Sequence, residues 1–588
     1  MSNVKSNFGT LRKSIYVVFS LLLCLAIVAG CAPQAAETAA PETTEVAAAT
    51  EAPAMEAVAG CTADWNPTYP AAVKYDPPIQ ISVPFSASYD FSAIPDDDIL
   101  ANPMYDRIVN ELGIEYQIAW QADGGEYYTR LSNDLAGGTL PDVFRVKNSL
   151  IGQFVDPGAV EDITDIWEAT ASDLTKEKKG YPDNLIWQEV TRDGRIYGIA
   201  YKEDGLGDDS LTLIRQDWLD QVGMEAPSTM DEFTAVAKAF KEAGLSEYPI
   251  AINQNLVTWD FSADPIFGAF GVIPAGGGPG YWIKQEDGTL GYSSIQPGAK
   301  EALTVLNAWY TEGLIDPDFI NQDETSANDN FIAGMTGIVF QPWWSAHANV
   351  ADLYAAFPEA KITVIPGPKG PNGESGRAGT NLKGQAVLFR KGVDPKIIEA
   401  VITQMNWQID MHVNWEEYQQ YGEYINGAGF FQGYEWDFDA DCNIVPGKIP
   451  GGEWTLGKDL IGGYRGMTYP DYPVDTFSSM AEWMKADPAS LNMAQKFILE
   501  DPNVQRDIEY YNIAVTSRDE VIENQFKGRN TEAINTVLPD LMDFEKTAYL
   551  EFITGARALD EFDQFAAEWL ERGGQTYTDE VNAWAAAQ

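Results

Sequence analysis

The sequence predicts an α/β fold built as more than one globular unit, on three observations. Residues 78–146 alternate strand and helix patterns, and a second such series begins near Leu211 after a glycine- and aspartate-rich stretch. About 520 residues also remain once an unusual N-terminal segment is set aside, more than one core normally serves.

The first series opens with "PIQISVPFSA" (78–87), an alternating strand that stops in a polar, aromatic loop around Tyr89 and Asp90. A helix is expected over "NPMYDRIVNELG", started by Asn102-Pro103 and stopped by Gly113. Strand "IEYQIAW", helix "EYYTRLSNDLAGG" and strand "DVFRV" follow, the rhythm of a parallel sheet covered by helices. The second series holds a helix over "STMDEFTAVAKAF", where Thr229 and Glu232 form a capping box and Phe233, Val236, Ala237 and Phe240 fall at helical spacing. "PGAKEALTVLNAWYTEGLIDPDF" repeats the logic, with Pro297 before the start, Leu303, Leu306 and Tyr310 on one face and Gly313 at the end. Both stripes read as core.

In "GMTGIVFQPWWSAHA" (334–348) a short apolar run ends at Gln341-Pro342, which predicts a buried strand with Trp343 and Trp344 at its exit, in a turn or helix start. Neighbouring side chains rarely both point inward. The indoles are therefore either core or the wall of a ligand site.

At the N-terminus, Lys5, Arg12 and Lys13 precede an apolar run from Ile15 to Val28 that ends in "VAGC". Such a segment reads as a signal peptide over residues 1–30, too short for a well-flanked membrane span. "VAGC" resembles a lipoprotein lipobox, which implies acylation of Cys31 and cleavage before it; Cys24, inside the run, fits poorly. Residues 32–60 contain five glutamates and no lysine, arginine or aromatic residue, so they cannot bury enough apolar area to order themselves. The expected tether, residues 31–75, would hold a folded body off a membrane, its first 29 residues alone reaching some 30 Å as a random coil.

Net charge is −50, or −53 without the signal segment, which repels nucleic acid and anionic lipid headgroups. The acidic residues are spread along the chain, as on a well-solvated surface. The body keeps Cys61 and Cys442 in a compartment that permits oxidation, so either one disulfide or two unpaired thiols are open.

Catalytic and metal motifs are sparse. The two histidines, His347 and His412, come with no HExxH or paired CxxC, leaving little for a zinc site or a Ser-His-Asp triad; each reads as a surface or packing residue. "PAGGGPG" (274–280) lacks the Gly-Lys-Ser/Thr of a phosphate loop and reads as a flexible loop. "DFDADCNIVPGK", from Asp437, has carboxylates at positions one, three and five of a calcium-type loop, but Cys442 and Lys448 replace its glycine and glutamate. No cofactor and no metal are expected.

Several stretches together, "LAGGTLPDVFRV", "DGRIYGIAY", "LIRQDWLDQVGMEAPSTMDEF", "EGLIDPDF", "NFIAGMTGIVFQPWW" and "ITVIPGPKGP", resemble the extracellular solute-binding proteins of ABC importers, in the carbohydrate-binding family that includes maltose-binding protein and LipO-like lipoproteins. Their order and spacing over roughly residues 80–370, behind a lipobox and tether, carry the resemblance. It implies a two-lobe, periplasmic-binding-protein-like (type II) α/β fold with the ligand in the cleft between lobes. The first lobe would hold residues 76–204 and 366–410, the second 205–365 and 411–588.

Because open α/β sheets bind ligands beyond the carboxyl ends of their strands, the resemblance nominates Tyr89, Asp90, Arg145, Asn148 and Tyr201 from the first lobe. From the second it nominates Trp259, Asp260, Trp343 and Trp344. A flat indole covers the apolar face of a sugar while amides and carboxylates take its hydroxyl rim. Beyond residue 404 the chain departs from the family's compact end, and its aromatic stretch adds Trp436 and Arg465, as a third wall of the cleft or a surface layer.

The expected function is a non-catalytic, lipid-anchored, extracytoplasmic and monomeric receptor that delivers an oligosaccharide or related polar solute to an ABC permease. A secreted carbohydrate-active enzyme with two carboxyls at catalytic separation and a solute-sensing lipoprotein are the alternatives.

Overall fold

The computed structural model describes residues 61, 73–86, 100, 105–106, 108–122, 124–182, 187–202, 210–257, 260–276, 278–379, 384–413, 436–446 and 480–587. In chain order its main elements are β1 (Ile79–Ser86), β2 (Ile114–Ala122), α1 (Gly124–Gly137), β3 (Val143–Lys147) and β4 (Ile199–Lys202). There follow β5 (Leu211–Arg215), α2 (Met230–Glu242), α3 (Pro297–Thr311), β6 (Ile338–Gln341), α4 (Asn349–Ala356), β7 (Ile362–Ile365) and β8 (Arg377–Ala378). The chain then forms β9 (Gly384–Phe389), α5 (Pro395–Val413), the hairpin β10 (Trp436–Phe438) and β11 (Ile444–Pro446), α6 (Pro502–Thr516), β12 (Val521–Ile522) and α7 (Glu532–Thr554).

Local signals are met closely. Thr229 caps α2, its hydroxyl accepting from Glu232 N while the Glu232 carboxylate accepts from Thr229 N, and Phe233, Val236, Ala237 and Phe240 are fully buried. Gly113 ends the first helical segment at φ 67°, where a Cβ would lie 2.2 Å from the Tyr75 carbonyl oxygen, so only glycine fits. In α3 the fully buried aromatic is Trp309 rather than the expected Tyr310, which is half-buried. Trp309 stacks on Phe233 at 5.3 Å and donates from its indole to Thr234 Oγ1.

The expected parallel sheet is only partly so. β1 and β2 pair in parallel, whereas β9 lies between β3 and β4 and runs antiparallel to both. Strand β9 starts at Gly384 and Gln385, opposite Lys202 and Lys147 where β4 and β3 end, and a strand that starts there must run the opposite way. In the second sheet β5 is the centre, antiparallel to β6 and β7, with all five of its residues buried.

Apolar packing divides along similar lines. One cluster draws on residues 81–200 and 386–409; others draw on residues from 211 onward, joined by 438–581. Residues just beyond the boundary expected at residue 366 make contacts with the second group. Lys369 N donates to Ser228 O, β8 pairs with β12, and Ala378 N donates to Asp264 Oδ2 at 2.8 Å. Residues 369–378 thus pack with the second group.

The "PAGGGPG" segment is pinned where it is described. Ala275 N donates to Glu545 Oε1 at 2.8 Å and Gly280 N to Tyr292 Oη at 2.8 Å, while a Cβ at Gly276 would lie 1.9 Å from the Val257 carbonyl oxygen. Glu545, on α7, is 1% exposed, and burial pushes its carboxyl up to about 7. Its ordinary value is near 4.5, so between those limits the folded protein holds a proton that the unfolded chain has released. Stability therefore falls as pH rises through that window, by on the order of 3 kcal/mol from this group. Glu545→Gln, which keeps the acceptor for Ala275, should melt above the wild type at pH 8 and close to it at pH 4; equal melting points at both pH values would show that the carboxyl is not protonated in the fold.

Candidate ligand-binding site

The registers set which strand ends face the crossings. Lys147 and Lys202, ending β3 and β4, pair with Gln385 and Gly384 at the start of β9. Gln341 and Ile365, ending β6 and β7, pair with Leu211 and Thr212 at the start of β5. Residues 203–209 join β4 to Ser210, a span of at most about 30 Å at 3.8 Å per Cα step. The carboxyl ends of β3 and β4 in one sheet, and of β6 and β7 in the other, are thus the ends next to the crossing segments.

The exit of β6 gathers most of the nominated side chains that are described. β6 is fully buried through Gln341; Pro342 cannot continue the ladder, and residues Trp343–Ala346 form a single 3₁₀ turn leading to α4. Trp343 is 5% exposed and packs edge-on against Tyr511 at 5.1 Å. That burial corrects the expectation of a sugar-stacking ring at position 343 and leaves Trp344, half-buried beside the same cluster, as the candidate. Asp260 Oδ2 accepts from Asn349 Nδ2 at 3.1 Å, and its backbone carbonyl accepts from Asn253 Nδ2 at 2.9 Å. Burial, followed by the negative field of Glu324, pushes the Asp260 carboxyl up to about 7 against the opposing pull of Asn349 and Gln341. The Gln341 side chain is 0% exposed. Its amide stands near enough to Asp260 to favour the charged carboxyl yet makes no hydrogen bond of regular geometry.

His347 is neither a surface nor an apolar packing residue. Its Nδ1 lies 2.7 Å from Asp507 Oδ1, with the two side chains 8% and 0% exposed. Burial raises the Asp507 carboxyl to about 6 while the His347 interaction opposes the rise. The pair bolts the β6 exit to α6, as does Arg506 Nε donating to Ala346 O at 3.3 Å.

On the first sheet Arg145 sits in β3, half-buried, opposite Val387. Asn148 opens the helix after β3 and Tyr201 lies in β4 opposite Gln385; their side chains, and that of Trp436 at the start of β10 opposite Pro446, lie outside the described residues. Tyr89, Asp90, Trp259, Arg465 and Cys31 also lie outside them. Gln341, Asn349, Asn253 and Asp507 were not nominated from sequence. Gln341 alone carried a signal, as the polar end of an apolar strand.

Cys61 and Cys442 are bonded, with their Cα atoms 5.3 Å apart. The calcium-like segment forms the β10–β11 turn, in which Asp439 Oδ1 accepts from Asp441 N and Asn443 N, both at 2.9 Å. Among the described residues no group of three or more His, Cys, Asp and Glu side chains could hold a metal ion.

Residues 111–402 match the family described as bacterial extracellular solute-binding protein. The chain belongs to that family. Its members bind solutes and are not enzymes. The chain is 30% identical over 280 residues to the polygalacturonan/rhamnogalacturonan-binding protein YtcQ of Bacillus subtilis, covering 46% of this chain and 53% of YtcQ. It is 24% identical over 340 residues to the fructooligosaccharide ABC transporter substrate-binding protein FusA of Streptococcus pneumoniae, covering 53% and 56%. The chain thus spans about half the length of these curated relatives. The structure of the alginate-binding protein AlgQ2 superposes with a TM-score of 0.60 at 16% identity, over 88% of this chain and 100% of AlgQ2. FusA in complex with kestose superposes with a TM-score of 0.58 at 17% identity, over 87% and 99%. The fold is the α/β periplasmic-binding-protein fold.

Proposed function

We propose that the protein is a lipid-anchored receptor that encloses an oligosaccharide between two lobes and delivers it to an ABC transporter. The observation that carries the reading is the β6 exit, where a half-buried indole, Trp344, follows Gln341 by three residues and Asp260, beside Gln341, accepts from Asn349. An aromatic ring for the sugar face beside amides and a carboxylate for its hydroxyls is what a sugar needs. Support comes from the relatives named above, one called an ABC transporter substrate-binding protein and each named for binding a glycan. Arg145 and the nominated positions 89, 90, 148 and 201 would form the opposite wall. The test is a thermal-shift screen against a glycan panel, since a ligand that binds only the folded state raises stability by RT ln(1 + [L]/Kd). No shift with any glycan would sink the proposal.

The anchor is part of the same reading. Cys31→Ser should move the protein from the membrane fraction to the soluble extracytoplasmic fraction, and Cys24→Ser should leave the mature product unchanged. A Cys31→Ser protein that stays membrane-bound would place the anchor elsewhere.

A further inference from the structure

The wall at the β6 exit also speaks to which glycans fit it. Asp260 Oδ1 and both polar atoms of the Gln341 side chain are buried side by side, close enough for the amide to favour the charged carboxyl but without a hydrogen bond of regular geometry. A ring hydroxyl can donate to Asp260 and accept from Gln341 at once, whereas a carboxylate only accepts and would set two acceptors face to face. Charge points the same way. The negative field of Glu324 acts on Asp260, and neither Gln341 nor Asn349 brings a compensating cation. Burial already holds the Asp260 carboxyl above its usual range, so a second anion would meet the same penalty.

We infer that the ligand is a neutral oligosaccharide and not a polyuronate, its hydroxyls held by Asp260, Gln341 and Asn349. The inference rests on the proposed function and narrows it. In a polyuronate every unit carries a carboxylate, so whichever unit sits here brings a negative charge to Asp260, and a cation on the opposite wall, such as Arg145, cannot remove that contact. At an effective dielectric near 20 and a separation of about 6 Å, the repulsion corresponds to on the order of a hundredfold in affinity.

The experiment is calorimetric titration of the whole mature protein at pH 8, where Asp260 is mostly charged. The probes are neutral tetrasaccharides (malto-, cello-, manno-, xylo- and galacto-tetraose, and nystose) and tetragalacturonate and tetramannuronate. At least one neutral probe should bind at least tenfold more tightly than either uronate. A uronate that binds more tightly than every neutral probe overturns the inference and leaves the receptor reading standing; binding of neither class overturns both. Asp260→Asn, checked for an unchanged melting curve, should weaken the neutral ligand about tenfold by replacing a charged acceptor with a neutral one. Unchanged affinity would remove Asp260 from the ligand wall, and with it the inference. Wild-type selectivity decides the matter should that variant fail to fold.

Discussion

Trp343→Ala should destabilise the fold by about 3–5 kcal/mol and leave the glycan affinity of the surviving folded protein close to wild type, whereas Trp344→Ala should do the reverse. The two neighbours differ in burial. Trp343 is 5% exposed and its ring meets Tyr511 edge-on at 5.1 Å, so its loss opens a cavity between the β6 exit and α6. Trp344 is half-buried and retains surface for a ligand to cover. If a sugar ring covers about a third of an indole's 150–250 Å², the contact is worth on the order of 1–2 kcal/mol at about 25 cal/mol per Å². Its removal should weaken binding roughly 5- to 30-fold with little change in melting temperature. Melting curves and dissociation constants for both variants check this together. A Trp344→Ala protein that loses stability and keeps its affinity would put both rings in the core and leave the wall without its aromatic face.

The asymmetry within this pair illustrates how far the sequence could be read. A buried strand ending at Gln341-Pro342 and a helical turn over the tryptophans follow from local chemistry, as do the Thr229–Glu232 capping box and the stop at Gly113. Which tryptophan faces inward is decided by Tyr511, on a helix more than 160 positions away, and no local periodicity encodes that. His347 is a similar case. Its partner Asp507 is 160 residues distant, and one carboxylate in so acidic a chain does not stand out. The direction of β9 and the packing of residues 369–378 were hidden for a related reason. "ITVIPGPKGP" punctuates the chain like a boundary, yet Lys369, Arg377 and Ala378 are held to the second group by Ser228, the α6–β12 connection and Asp264. Prolines and glycines mark where a chain can turn; which core it then joins is set by contacts far off in sequence.

Replacing Cys61 and Cys442 together by serine should lower the melting temperature of the body in the absence of reductant, and adding a thiol reductant to the wild type should lower it equally. The bond spans 381 positions, for which the chain-entropy relation gives an upper value of about 6 kcal/mol; removal of a native disulfide typically costs 2–5 kcal/mol. Both cysteines are half-buried beside the cluster that holds Trp343 and Tyr511, so the cross-link ties the start of the folded body to that core. Cys442 also sits at φ 62°, in the left-handed region, where a side chain costs roughly 1–2 kcal/mol and glycine does not. Two effects therefore meet at one residue, and a second variant separates them. Cys61→Ser with Cys442→Gly loses the same cross-link but relieves the backbone, and should recover roughly 1 kcal/mol over the double serine variant. An unchanged melting point in both double variants would mean that the cooperative unit unfolds without parting the two ends of the bond, and the stabilising role of the disulfide would be lost. If instead the glycine variant melts no higher than the serine one, the left-handed turn carries no cost in the fold and the whole effect belongs to the cross-link.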